Sequence, residues 1–305
     1  MAHTEADKQS GGSDTETART LRLRDGRTLG YEIWGSPSGI PVIGFHGTGA
    51  NRLFHYGDVV PRAAGVRLVL PDRPGFGLSD PHMSGTLLDW AQDVDELANS
   101  LQLDRFAVFG VSGGGPPALA CGFARPNRVA AVGLVSAVGP CQDEPELIRH
   151  LPEGRRRLAE LARRDRATAE AMIRRDCEEG IAATARDMEA EADAWSSDSD
   201  REVMADPIIR ARFITSRREL VRRGPEGNIH DHLLNYAKPW GFRTSDIRIP
   251  VYIWHGTQDP MVPVEVARYL AQHIPGARLT EYPEWGHMGS LANMGEILET
   301  LASSV

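Results

Sequence analysis

A serine hydroxyl attacks a carbonyl efficiently only with help. A base must take its proton, an acid must hold that base, and N–H donors must receive the charge that develops on oxygen. The chain carries candidates for each role. Gly110-Val111-Ser112-Gly113-Gly114 fits the pattern G-x-S-x-G. Five residues alone would equally describe a glycine-rich turn with a capping serine. Here they follow an apolar run at 106–109 and open a helical pattern at 114–124, the strand–turn–helix context that gives the pattern chemical meaning. A serine on so sharp a turn has strained backbone angles, so small residues must stand two before and two after it, as Gly110 and Gly114 do. The hydroxyl is then presented at the carboxyl edge of a sheet, at a helix N-terminus.

Of ten histidines, His287 in Glu284-Trp285-Gly286-His287-Met288 is the candidate base. It follows the strand pattern at 278–282 and precedes the final helical pattern. His255 ends a strand and is expected to hold the loop after it, and His46 is expected to shape a turn. His230 and His232 are expected to have structural or substrate-contacting roles. Asp259 is the candidate acid, because it follows the run at 251–254 and Pro260 restrains its loop. Asp143 and Glu144 are the nearby rivals. The order Ser112, Asp259, His287 is a nucleophile–acid–base order found in one fold. For the oxyanion, Gly113 directly after the serine and Thr48 in His46-Gly47-Thr48-Gly49 are the candidate N–H donors, with Gly47 as second choice.

These residues need a scaffold. Asp25-Gly26 joins strand patterns at 20–24 and 28–34 as a hairpin. Short apolar runs at 41–45, 66–70, 106–109, 129–135 and 251–254 suit strands buried on both faces of a parallel sheet. Helical patterns at 86–101, 114–124, 264–273 and 288–301 alternate with them, which implies right-handed βαβ crossovers and a doubly wound α/β sheet. The alternation stops near Pro140 and resumes at Ile249. Between them lie charged, helix-favouring stretches at 146–161, 166–179 and 181–194, with a loop expected at 196–200.

Together the motifs resemble the α/β-hydrolase family. The resemblance rests on His46-Gly47-Thr48-Gly49, Asp72-Arg73-Pro74-Gly75-Phe76-Gly77-Leu78-Ser79, Gly110-Val111-Ser112-Gly113-Gly114, Asp259 and Trp285-Gly286-His287. It covers the chain from about residue 20 to the end, except the insertion. It implies a mostly parallel sheet with a core of 19–140 and 241–305, and a helical cap over the active site at 141–240. It makes 72–79 a structural turn rather than a catalytic segment. One departure is Gly113, where many relatives carry Met or Gln; a glycine leaves more room beside the oxyanion. Within the cap, Trp195, Phe213, Tyr236, Trp240 and Phe242 are candidate pocket walls.

The expected activity is that of a serine hydrolase opening a carboxylic ester or lactone of a small to medium organic molecule through an acyl-enzyme on Ser112. Neither a metal nor an organic cofactor is implied. The same triad could serve C–C bond hydrolysis, peracid formation, or a biosynthetic lyase or cyclase step. A non-catalytic, hydrolase-like binding protein is the remaining alternative, and the presence of all three triad residues speaks against it.

Composition narrows the partners. Apolar residues make up 41% and charged residues 25%, an ordinary globular balance, so wholesale disorder is excluded. A formal charge of −8, with Lys8 and Lys238 the only lysines, gives no footprint for nucleic acid or an anionic membrane, which leaves a small-molecule substrate. The sequence does not set an oligomeric state. No run of 18 apolar residues exists. Cys121, Cys141 and Cys177 form no CxxC pair and no disulfide framework. Residues 1–18 are polar and lack an apolar core, so a disordered tail and a cytoplasmic location are expected.

Overall fold

The computed structural model describes residues 18–55, 57–195 and 197–305. The expected tail, apart from Ala18, lies outside the described residues. Eight strands form one sheet: β1 (Arg19–Arg22), β2 (Thr28–Gly35), β3 (Ile40–Phe45), β4 (Val66–Pro71), β5 (Phe106–Val111), β6 (Val129–Val135), β7 (Val251–Gly256) and β8 (Arg278–Tyr282). Their spatial order is β1-β2-β4-β3-β5-β6-β7-β8. The first two strands pair antiparallel, as do β2 and β4, and the others run parallel. The Asp25-Gly26 turn closes the hairpin, with Gly26 at φ +88° and Leu23 N–H donating to the Arg27 carbonyl.

Eleven α-helices are described: α1 (Val59–Ala63), α2 (Leu87–Ser100), α3 (Gly115–Ala124), α4 (Glu153–Arg164), α5 (Arg166–Arg186), α6 (Met188–Asp193), α7 (Asp198–Ala205), α8 (Pro207–Arg223), α9 (Glu226–His232), α10 (Val264–His273) and α11 (Met294–Ala302). The sheet is sandwiched. On one face α2 and α3 bury Leu87, Trp90, Val94, Leu97 and Leu119 with Ile43, Phe45 and Val108. On the other α11 buries Ile297, Leu298 and Leu301 against Val42, Phe109 and Val135. Such burial is the main stabilising term, because it takes apolar surface out of water. The interior strand β6 is buried along its whole length, as an apolar run without alternation requires.

Helices α4–α9 all lie between β6 and β7, and among the described residues no strand interrupts them. Their boundaries differ from the sequence expectation for local reasons. The stretch at 146–161 is not one helix. It is a 3-10 turn (Pro145–His150) followed by α4, because Pro152 forces Leu151 into extended backbone with ψ 148°. Helix α5 continues to Arg186. Asp187 then breaks it, and its carboxylate caps α6 by accepting the Ala190 N–H. The loop expected at 196–200 instead contains the start of α7, whose cap is Ser197 accepting the Asp200 N–H. The last helix begins at Met294 rather than 288, after a 3-10 turn at Gly289–Asn293. Among the described residues no helix is long and apolar enough to cross a membrane.

Helix α2 starts at a capping box. Thr86 Oγ1 accepts the Asp89 N–H, and the Asp89 carboxylate accepts the Thr86 N–H. Thr86→Ala is expected to lower unfolding free energy by about 1 kcal/mol. Urea denaturation should show this as an earlier midpoint with an unchanged slope.

Candidate functional site

Strand β5 ends at Val111, and the chain turns at once through Ser112–Gly114 into α3. Ser112 takes φ +53°, a left-handed conformation that costs a residue with a Cβ roughly 1–2 kcal/mol. The neighbours show why the flanking residues are small. A Cβ on Gly110 would overlap the carbonyl oxygen of Gly114, and one on Gly114 would overlap that of Phe45. Val138 N–H donates to the Ser112 carbonyl at 3.3 Å. The side chain opens on a cavity and makes no hydrogen bond to a described residue.

The loop after β7 carries Asp259. Its Oδ1 accepts the N–H groups of Met261 (2.8 Å) and Val262 (2.9 Å), and its Oδ2 accepts from His287 Nδ1 at 2.7 Å. Burial pushes this carboxyl up, but the His287 charge and hydrogen bond, with His255 and the Val262 N–H, outweigh it and hold it below the usual carboxylate range. Asp259 is therefore ionised and His287 donates from Nδ1, which in the neutral ring leaves the lone pair on Nε2. Burial likewise disfavours the His287 imidazolium. The charge and hydrogen bond of Asp259, with the charge of Asp200, reverse that and raise its pKa. Both His287 and Ser112 line the same cavity. The absence of a direct bond between them is no obstacle, since catalytic hydrogen bonds are often loose before a substrate binds.

The other histidines have separate duties. His255 Nε2 donates to the Val262 carbonyl at 2.7 Å and so braces the Asp259 loop. His46 Nε2 accepts the Arg73 N–H, which leaves Nδ1 to donate to the Gly47 carbonyl. Burial, with the nearby Arg73, pulls its pKa down to about 3, so it stays neutral. His230 bonds the Gly85 carbonyl, while His232 bonds that of Asn228 and lines the cavity. The rival acid Asp143 accepts the Trp240 N–H instead. Asp72 accepts the N–H groups of Arg52 and Leu78 and pairs with the Arg52 guanidinium, which makes 72–79 a braced turn.

Thr48 and Gly113 meet beside the serine. Gly47 passes so close that a Cβ there would stand 3.3 Å from that of Ser112. Gly113 lies in the 3-10 turn that leads into α3, where the first N–H groups of a helix have no partner within it. The Thr48 hydroxyl is engaged elsewhere, donating to Asp231 Oδ2 at 2.7 Å. Asp231, from α9, forms a bidentate ion pair with Arg73, 2.6 Å from Nη2, and Arg73 Nη1 also donates to the Gly113 carbonyl at 3.3 Å. Burial pushes the Asp231 carboxyl up and Arg73 more than offsets it, so the pair is charged. The extra room expected at Gly113 does not exist. A Cβ there would overlap Thr48 Oγ1 and stand 2.9 Å from Asn235 Nδ2. Sequence reasoning missed Asp231, which carries no motif.

The cavity measures about 890 Å³, within the usual range for small-molecule sites. Trp195, Phe213 and Tyr236 line it from the segment between β6 and β7. Trp240 and Phe242 do not. They are buried elsewhere, with Phe242 stacked on Phe123. Among the described residues no group of three His, Cys, Asp or Glu side chains is placed to hold a metal ion. The three cysteines are buried and free, and burial pushes the thiols of Cys141 and Cys177 up to about 12 and about 11, so neither competes as a nucleophile.

The alpha/beta hydrolase family model matches residues 42–300. The chain is similar to a 2-hydroxy-6-oxononadienedioate/2-hydroxy-6-oxononatrienedioate hydrolase of Cupriavidus pinatubonensis, with 27% identity over 90% of each chain. It is also similar to a non-heme chloroperoxidase of Streptomyces lividans, 35% identical over 40% of this chain and 45% of that one. The chain spans less than half the length of several curated relatives it matches, this one among them. In fold it is similar to an esterase from Exiguobacterium antarcticum, with a TM-score of 0.63, 22% identity, and coverage of 93% of this chain and 97% of that one.

Gly113→Ala is expected to break the Thr48–Asp231 hydrogen bond by overpacking, at a cost of about 1–3 kcal/mol. A thermal melt should record the loss. A melting temperature equal to the parent's would contradict the crowding described.

Proposed function

The chain belongs to the alpha/beta hydrolase family, and we propose that it is a serine hydrolase opening a carboxylic ester or lactone of a small to medium organic molecule. The observation that carries this reading is the buried 2.7 Å Asp259–His287 hydrogen bond, with His287 and Ser112 lining one cavity. His287 Nε2 takes the Ser112 proton as Oγ attacks the carbonyl carbon. Charge moves onto the carbonyl oxygen, where the N–H groups of Gly113 and Thr48 receive it. The intermediate collapses, His287 returns the proton to the leaving alkoxide, and an acyl-enzyme remains. A water molecule, deprotonated by His287, then releases the acid and restores Ser112. Asp259 fixes the tautomer and stabilises the imidazolium at both stages.

In this reading residues 141–240 form a cap over a core of 19–140 and 241–305. The cap supplies Trp195, Phe213 and Tyr236, which with other apolar groups favour an apolar acyl or alcohol portion. A second reading, C–C bond hydrolysis by the same triad, is favoured by the relative that matches over 90% of both chains. Product analysis separates the two: an ester or lactone yields an acid and an alcohol, whereas C–C cleavage yields an acid and a carbon-protonated fragment.

Ser112→Ala is expected to reduce turnover of an activated acyl ester by more than about four orders of magnitude. The variant should melt like the parent. Activity within tenfold of the parent would remove Ser112 from the mechanism.

The pH dependence follows from the base. Only neutral His287 accepts a proton, and its raised pKa keeps it charged to higher pH than usual. The acid limb of kcat/KM is therefore expected to have its midpoint above the ordinary histidine value of about 6.5, with activity lost as pH falls through it. Asp259→Asn should move that midpoint down and lower kcat by about four orders of magnitude. Asp143→Asn should leave both near the parent's.

A further inference from the structure

His287 is held from both sides, and only one side is accounted for by Asp259. The other side is the first turn of α7, within the inserted helices. Asp200 is 0% exposed there. Its Oδ2 accepts the His287 N–H at 3.1 Å, and its Oδ1 accepts the N–H groups of Met288 at 2.6 Å and Gly289 at 3.1 Å. Ser199 Oγ accepts the Gly286 N–H at 2.8 Å. The consecutive N–H groups from 286 to 289 thus all end on Ser199 and Asp200, neighbours in one helical turn. The approach is so close that a Cβ on Gly286 would overlap Ser197 Oγ and Asp200 Oδ2.

A buried carboxylate is expensive unless something compensates it. No described cation pairs with Asp200, and its partners are the three backbone N–H groups. A neutral side chain could hold a loop by hydrogen bonds alone. A full negative charge does more, because it favours a cation forming on the ring next to those N–H groups. The titratable groups bearing on that ring are Asp259 from the loop after β7, His255 at the end of β7, and Asp200 from α7. On the β6 side Ser136 Oγ, which is neutral, meets the His287 carbonyl. Burial disfavours a charge on His255, and the groups whose charge favours the His287 cation are Asp259 and Asp200.

We propose that Asp200 is a positioning residue through which the inserted helices assemble the base: α7 holds the backbone of His287, and its carboxylate joins Asp259 in stabilising the imidazolium. The inference rests on His287 being the base of the proposed reaction. It gives the insertion a part in the chemistry beyond enclosing the substrate, since displacing α7 would release the His287 loop.

The test measures, across pH, the rate of Ser112 phosphonylation by a fluorophosphonate probe and the kcat and KM for an activated acyl ester. The parent, Asp200→Asn and Ser112→Ala are compared. Asp200→Asn is expected to slow phosphonylation and kcat about tenfold to a hundredfold, the scale of a small misplacement of a catalytic group. KM should stay within about twofold, and the acid midpoint should move to lower pH, as losing a nearby negative charge requires. A slow variant with the parental midpoint would make Asp200 a structural tie only and overturn the proposal, as would parental rates. If Asp200→Asn does not fold, Ser199→Ala tests the same turn without removing a charge. Slower phosphonylation would support placement of the base by α7, the part of the proposal that this variant addresses, and a parental rate would overturn it. A parent that is not labelled, or a Ser112→Ala variant that still is, would instead overturn the serine-hydrolase reading.

Discussion

Ser112 is held with φ +53° where the parallel strand β5 turns into α3, and the rest of the site is arranged around that strained residue. A serine pays for this backbone only if its surroundings leave no alternative. They do so through contacts too close for side chains: the Gly114 carbonyl beside Gly110 and the Phe45 carbonyl beside Gly114. The second contact reaches across the sheet, because β3 is the direct neighbour of β5. Strand order therefore brings the His46–Gly49 loop alongside the serine. The carboxyl ends of β5 and β7 deliver Ser112 and the Asp259 loop to the same edge of the sheet, and the chain after β8 returns His287 to it.

The insertion grips this edge at several points. Asp231 binds Arg73 and Thr48, Asp200 binds the His287 backbone, Asn51 Nδ2 donates to the Ser216 carbonyl, and Arg217 donates to that of Gly49. The Arg73–Asp231 pair is buried, so its attraction is largely consumed by desolvation, and its worth lies in geometry more than in stability. It fixes the Thr48 hydroxyl and the Gly113 carbonyl together. A helical region that was only a roof would need apolar contacts. This one places two buried carboxylates against the two ends of the proposed catalytic machinery.

The sheet was legible in the sequence because buried parallel strands must be short, apolar and bounded by turn residues, as at Val129–Val135. The serine turn was legible because its sterics demand Gly110 and Gly114. The Asp259–His287 pairing followed from chain order, and the distance agrees with it. The insertion was legible only as helical. Pro152 and Asp187 set breaks that hydrophobic patterning alone does not reveal. The first turn of α7 has the pattern of a loop because Ser197 to Asp200 is a polar run, and such runs are also what caps a helix. Asp231 and Asp200 act on residues far away in sequence, so no local pattern could expose them. Gly113 shows the same limit: its missing side chain suggested space, but that space is filled by Thr48, Asn235 and Asp231 from distant segments.

Catalysis by this site requires Ser112 to bond covalently to the acyl group during turnover. Rapid acid quenching of the enzyme during hydrolysis of an excess activated acyl ester, followed by peptide mass spectrometry, tests this directly. The peptide containing Ser112 is predicted to carry the mass of the acyl group, with fragmentation placing it on that residue, and to lose it as substrate is exhausted. Steady turnover with the acyl group on another residue, or with none bound to the chain under conditions where deacylation is slowed, would contradict it.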